Sequence, residues 1–221
     1  MKITARASLS RLAMGLFIMA SMLITDDLRA ADKAPVVLTP AEVAEKESRK
    51  ACKVKICDIF RSKKTSGEQI ACPIVKTFRE EDIKDMVTGG KIGWRWGKVF
   101  CEFNLNLSQK DLARVVTEAS YELKVPSHTI NCKVDRKKDG LVHKISVGIA
   151  PNVKFKNGKA VEARMNWGEV KAPILFKGVI WPGIKLDNQV NVIGGKMIKM
   201  VNGFMTKKCD QVKDLLPSAR H

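Results

Sequence analysis

Residues 91–107 read KIGWRWGKVFCEFNLNL, and their alternation decides the fold. Up to Trp96 the large apolar side chains Ile92, Trp94 and Trp96 share one parity, whereas Val99, Cys101, Phe103, Leu105 and Leu107 occupy the other. Successive strand residues point to opposite faces, so the phase flip across Gly97 predicts a bulge, a sharp bend or a switch of the buried face. The second half of the stretch is core. The first half, Trp94, Arg95 and Trp96, either covers the other face of a sheet or presents that face to a ligand.

On the N-terminal side, residues 70–78 alternate as a strand, and Pro73 within them points to a sheet edge or a bulge. Residues 79–87 read as a short helix closed by Gly89-Gly90 in a left-handed cap. Further back, Thr39-Pro40-Ala41-Glu42 offers a capping hydroxyl, a proline at the first helical position and a glutamate that completes a capping box. A helix is therefore expected from Pro40, running to about Phe60 unless Lys53-Val54-Lys55-Ile56 begins a strand.

On the C-terminal side, Ser108 caps a short helix whose apolar side is Leu112, Val115 and Val116. Strands follow at 121–124 and 129–134, and a turn over 135–140 joins the second of these to a strand at 141–150. Asn157-Gly158 then marks another hairpin, with its return strand over 160–167. Strands joined by short turns make an antiparallel meander. The last segment changes period: Val190, Ile193, Met197, Val201, Phe204, Val212 and Leu215 recur at helical spacing. That predicts one long amphipathic helix over about 187–216, stopped by Pro217 and weakened by Gly194, Gly195 and Gly203. Together these elements specify an α+β fold, a curved antiparallel meander packed on a long C-terminal helix, with short helices at the N-terminal end.

The N-terminus places the chain in a compartment. Lys2, Arg6 and Arg11 precede an apolar run from Leu12 to Ile24, and small residues follow at Ala30-Ala31. This is the pattern of a secretory signal peptide over 1–30, because a membrane span needs roughly 20 apolar residues and this run is shorter. The remainder, 31–221, is expected to form one globular domain without a transmembrane segment. The leader holds four cations (Lys2, Arg6, Arg11, Arg29) and two anions (Asp26, Asp27), so removing it takes the net charge from +17 to +15. So basic a chain favours anionic partners such as lipid head groups, lipopolysaccharide or acidic glycans, and export disfavours nucleic acid. Spread evenly, the same charge would serve only solubility.

All six cysteines lie after the leader, and an even number in an oxidising compartment reads as three disulfides. Cys52 and Cys57 sit five apart on a predicted helix and face different ways, so they should not bridge each other. The expected pairs are Cys57–Cys72 across the 61–69 loop, Cys101–Cys132 between strands, and Cys52–Cys209 from the first helix to the last. No C-x-x-C pair or helpful histidine spacing suggests zinc, and no cofactor is implied.

No reaction is written in this chain. His128, His143 and His221 are scattered, the flanks of Ser66 and Ser146 lack a nucleophile elbow, and the glycine pairs lack a P-loop lysine. Glu80, Glu81, Asp82 and Asp85 read as a solvated helix face. The expectation is a non-catalytic exported binding protein. In its first form, a lipid or other amphiphile lies between the sheet and the C-terminal helix, with Met197, Met200 and Met205 as a pliable lining and Trp167 and Trp181 at the mouth. In its second, a basic surface with Trp94, Arg95 and Trp96 as a platform binds an anionic envelope glycan or lipopolysaccharide. A third form docks on a partner protein as an inhibitor or assembly factor.

Overall fold

A computed structural model describes residues 37–65, 69–83, 96–137 and 139–217. The expected leader, the Ser66-Gly67 loop, Gly89-Gly90 and the pair Trp94-Arg95 lie outside them. The chain is α+β, with antiparallel sheets, several helices including C-terminal ones, and three disulfides.

Helix α1 spans Pro40–Ser62, and its start follows from the sequence: the Thr39 hydroxyl accepts from the Glu42 N–H at 3.3 Å, and the Glu42 carboxylate accepts from the Thr39 N–H at 2.8 Å. Strand β1 (Gln69–Phe78) then pairs with β2 (Val99–Ser108) over ten residues, from Gln69 opposite Ser108 to Phe78 opposite Val99. Strand β2 begins at Val99, so it carries the second phase of the opening stretch; of the first phase only Trp96 is among the described residues. Gly97 lies just before the strand. Its N–H donates to the Asp135 carbonyl at 2.8 Å, and a Cβ there would meet the Asp135 side chain at 3.1 Å, a close approach that favours glycine.

Ser108 caps α2 (Gln109–Thr117), with its hydroxyl accepting from the Asp111 N–H at 3.2 Å. The remaining strands are β3 (Ser120–Lys124), β4 (His128–Asp135), β5 (Val142–Ile149), β6 (Asn152–Lys156), β7 (Lys159–Arg164) and β8 (Trp167–Lys171). They divide between two sheets, one ordered β1-β2-β4-β5-β8 and one ordered β3-β6-β7. The sequence describes one meander. The chain makes two sheets because β3 pairs with β6 rather than with its neighbour β4. The β6–β7 hairpin turns at Asn157 and Gly158, both at positive φ (48° and 74°), the conformation a two-residue turn needs.

The C-terminal region departs from expectation. Instead of one helix over 187–216, α3 runs Ile174–Val190 and α4 runs Gly194–Gly203, followed by a π-helical turn at Phe204–Lys208 and a 3₁₀ turn at Lys213–Leu215. Pro173 opens α3, a place where a missing N–H costs nothing, so the proline that looks like an interruption is a start signal. Asn191 ends the helix in the left-handed conformation, at φ 50°. The buried carboxylate of Asp187 stabilises the break by accepting from the Ile193 N–H at 2.7 Å and from Trp167 Nε1 at 2.8 Å.

Two cores result. The larger lies between the inner face of the five-stranded sheet (Ile74, Phe103, Ile130, Val147) and the residues Cys52, Ile56 and Ile59 of α1 and Phe176 and Ile184 of α3. The smaller packs Ile193 and Met197 on Val153, Phe155 and Ala163 of the small sheet and on Met165 just beyond it.

Helical side chains close two sheet edges. Along β1, Ser48 donates to the Pro73 carbonyl at 3.2 Å, Arg49 donates to the Val75 carbonyl at 2.6 Å, and Glu45 accepts from the Thr77 N–H at 2.8 Å. Pro73, which lacks an N–H, thus sits on an edge, as its position implies. Along β7, Asn191 and Asn202 bond the backbones of Ala163 and Ala160. Gly194 permits this approach, since a Cβ there would lie 2.5 Å from the Ala163 carbonyl oxygen.

The alignment of α1 on β1 corrects two of the expected disulfides. The bonds are Cys52–Cys72 and Cys57–Cys209, not Cys57–Cys72 and Cys52–Cys209; Cys101–Cys132 joins directly opposed residues of β2 and β4 as expected. Contacts from Ser48 and Arg49 to Pro73 and Val75 put the helix face that continues to Cys52 over β1. Five residues further on, about 140° around the helix, Cys57 faces the C-terminal segment, where it packs with Val212 and Leu216.

Candidate functional site

Helix α3 carries the features that set this molecule apart from a plain core with a polar shell. Its inner side is held firmly. Phe176 stacks on Trp96 at 5.3 Å between ring centroids and meets the edge of His143 at 5.4 Å, Ile184 is buried, and Asp187 anchors the C-terminal end. Its outer side stays apolar. Ile174 is 89% exposed, Leu175 53% and Trp181 50%. Lys177 and Lys185 are exposed on the same side of the helix. At about 100° per residue, Ile174, Lys177, Gly178, Trp181 and Lys185 fall on one arc opposite Phe176 and Asp187.

The tryptophans separate by environment. Trp96 and Trp167 are half-buried and pack against the main core, with the Trp167 indole fixed by its bond to Asp187. Trp181 alone among the described tryptophans is turned outward. Met197 is 5% exposed inside the smaller core, and Met200 and Met205 pack at its margin. Thus the structure brings Trp96 to the larger core, seats Trp167 against both cores, puts Met197 inside the smaller one, and leaves Trp181 on a surface with Ile174 and Leu175. Neither Ile174 nor Leu175 stands out in the sequence, where Pro173, Lys177 and Pro182 interrupt the apolar run from Ala172 to Ile184. The signal that could have found Ile174 is the helical arc itself; Leu175 lies about 100° further round, outside that arc.

No protein-family model, curated protein or solved structure matches this chain.

His128, buried, accepts the Asn106 N–H at Nε2 over 2.8 Å and turns Nδ1 to the Pro126 carbonyl, which ties β2 to the start of β4. The Tyr121 hydroxyl donates to Asp111 at 2.6 Å beneath the Arg114 guanidinium; burial, and then this bond, push the phenol up to about 12. Among the described residues no group of three or more His, Cys, Asp or Glu side chains is arranged to hold a metal ion, and no helix is long and apolar enough to cross a membrane.

Proposed function

We propose that this is an exported, non-catalytic binding protein that engages anionic amphiphiles through the outer face of α3. The observation that carries the reading is the exposure of Ile174, Leu175 and Trp181 on one helix beside Lys177 and Lys185. Adjacent exposed apolar side chains mark an interaction surface, and an amphipathic helix with tryptophan and lysine suits a lipid–water interface. The three disulfides and the leader-like N-terminus support export. A ligand held between the small sheet and the C-terminal helices would have to displace Met197 from Val153 and Phe155, so the outer face supports amphiphile binding better than the interior does.

Magnitudes fit a reversible contact. Burying a large apolar side chain contributes about 1.5–3 kcal/mol, and each lysine near an anionic surface about 1 kcal/mol. Three partly buried side chains and two lysines suffice for peripheral binding and fall far short of permanent insertion.

Flotation with vesicles of phosphatidylglycerol and phosphatidylcholine tests this. The mature protein should float with the anionic vesicles, more weakly with phosphatidylcholine alone, and Ile174→Ser with Trp181→Ser should abolish flotation. Equal flotation of the variant, or none for the wild type, would reject the reading.

A further inference from the structure

The opposite side of the five-stranded sheet carries a second surface. Its inner residues are buried beneath α1 and α3, whereas Glu102, Asn104, Asn131, Lys133, Lys144 and Lys171 on the outer parity are exposed. Lys133 and Lys144 are direct cross-strand partners, and Lys171, on the next strand, is the partner of Ser146, two residues from Lys144. Directly opposed residues on one face hold their Cβ atoms about 5 Å apart, and like charges there destabilise the pair. Among the described residues no salt bridge reaches Lys133 or Lys144. Lys171 pairs at 3.2 Å with Glu169, but both side chains are more than two-thirds exposed, so this pair exchanges readily with another anion.

We propose that this face binds an acidic polysaccharide. The cations lie on three neighbouring strands, spaced about 4.8 Å apart, and form a short transverse track for repeated carboxylates. Beside that track the groups suit a sugar: Ser146 donates to the Asn131 side-chain oxygen at 2.9 Å, leaving the Asn131 amide free to donate, and Asn104 stands one strand over. Phe100, half-buried opposite Lys133 with that ammonium 5.6 Å from its ring centre, provides a flat apolar patch. Nucleic acid fits less well, because single strands bind on several stacking aromatics and this face offers one ring. Glu102, also on this face opposite Asn131, disfavours a uniformly dense polyanion and suits one whose charges alternate with hydroxyls. This site is separate from α3, which packs on the other side of the sheet.

Affinity electrophoresis of the disulfide-bonded protein in gels containing polygalacturonate, dextran or single-stranded DNA tests the proposal. Wild type should be retarded by polygalacturonate in a salt-sensitive manner and not by dextran. Lys133→Gln with Lys144→Gln should weaken retardation roughly tenfold. The same variant should melt no lower than wild type, because it removes a repulsion; a merely structural role would lower the melting temperature. Lys46→Gln with Lys55→Gln, on the exposed side of α1, removes equal charge and should leave retardation nearly unchanged, as should Trp181→Ser. Equal loss in the α1 variant, no loss in the sheet variant, or DNA retardation as strong as that by polygalacturonate would overturn the assignment.

Discussion

Asn202 binds both backbone groups of Ala160: its side-chain oxygen accepts the Ala160 N–H at 2.8 Å, and its Nδ2 donates to the Ala160 carbonyl at 3.0 Å. One amide thereby stands where a further strand would add a pair of ladder bonds, and the edge of β7 is closed. Asn202→Asp keeps the shape but replaces the donor with an oxygen facing the carbonyl. It should destabilise the protein by about 1–3 kcal/mol and speed amide hydrogen exchange at Ala160. Urea unfolding and exchange at that amide check both effects; an unchanged midpoint would remove Asn202 from this role.

Tyr121 is the only tyrosine in the chain, so its ionisation can be followed without ambiguity by ultraviolet absorbance. Burial first, then the hydrogen bond to Asp111, raise the phenol from its ordinary value to about 12. The group is neutral when folded, so the stability it contributes is complete below about pH 10 and is lost as the pH rises toward 12. The titration midpoint should lie near 12 and fall in Asp111→Asn, which removes the nearby negative charge while leaving the ring buried.

At the other end of the scale, the Arg79 guanidinium donates to both oxygens of Glu42 at 2.6 and 2.7 Å. With the Thr39 N–H, this bond holds the Glu42 carboxyl down to about 2. A depressed carboxylate stabilises the fold fully above its unfolded value near 4.5 and loses that contribution as the pH falls through about 2. The stability difference between wild type and Glu42→Gln should therefore be constant from neutral pH to about pH 5 and shrink between about 4.5 and 2. Urea unfolding of both proteins at each pH measures it, and a flat difference would show that the clamp adds nothing.

These local devices are the part of the molecule that sequence discloses. The capping box at Thr39, the cap at Ser108, the hairpin at Asn157-Gly158 and the edge proline at Pro73 are each decided within four or five residues, and each occurs where its chemistry places it. What local chemistry leaves open is the choice of partner. Whether β3 joins β4 or β6 depends on residues about thirty positions apart, and whether Cys52 or Cys57 meets Cys72 depends on which helix face lies on β1. The break at Asn191 is hidden for a similar reason: apolar side chains on both sides keep helical spacing, while the group that stabilises the break is the buried Asp187. The exposed α3 face is hidden in the sequence, where Pro173, Lys177 and Pro182 interrupt the apolar run and only the fold places Pro173 at a helix start. Trp181 stands out in the sequence as a residue, but its exposure, which gives it meaning, comes only with the fold.

The last prediction concerns the staples. Cys57–Cys209 spans 152 residues and joins α1 to the C-terminal segment, whereas Cys52–Cys72 spans 20 and joins α1 to its neighbour strand. Constraining a longer loop removes more entropy from the unfolded chain, about 5 kcal/mol for the former and about 3 for the latter. Cys57→Ser with Cys209→Ser should therefore lower stability more than Cys52→Ser with Cys72→Ser. The first variant should also loosen Val212 and Leu216, which pack around that bridge, while leaving α1 on the edge of β1. Urea unfolding of each double variant and non-reducing peptide mapping of the wild type provide the test. Recovery of a Cys57–Cys72 peptide would mean that α1 turns a different face to β1, and the bonds from Ser48 and Arg49 to that edge would fall with it.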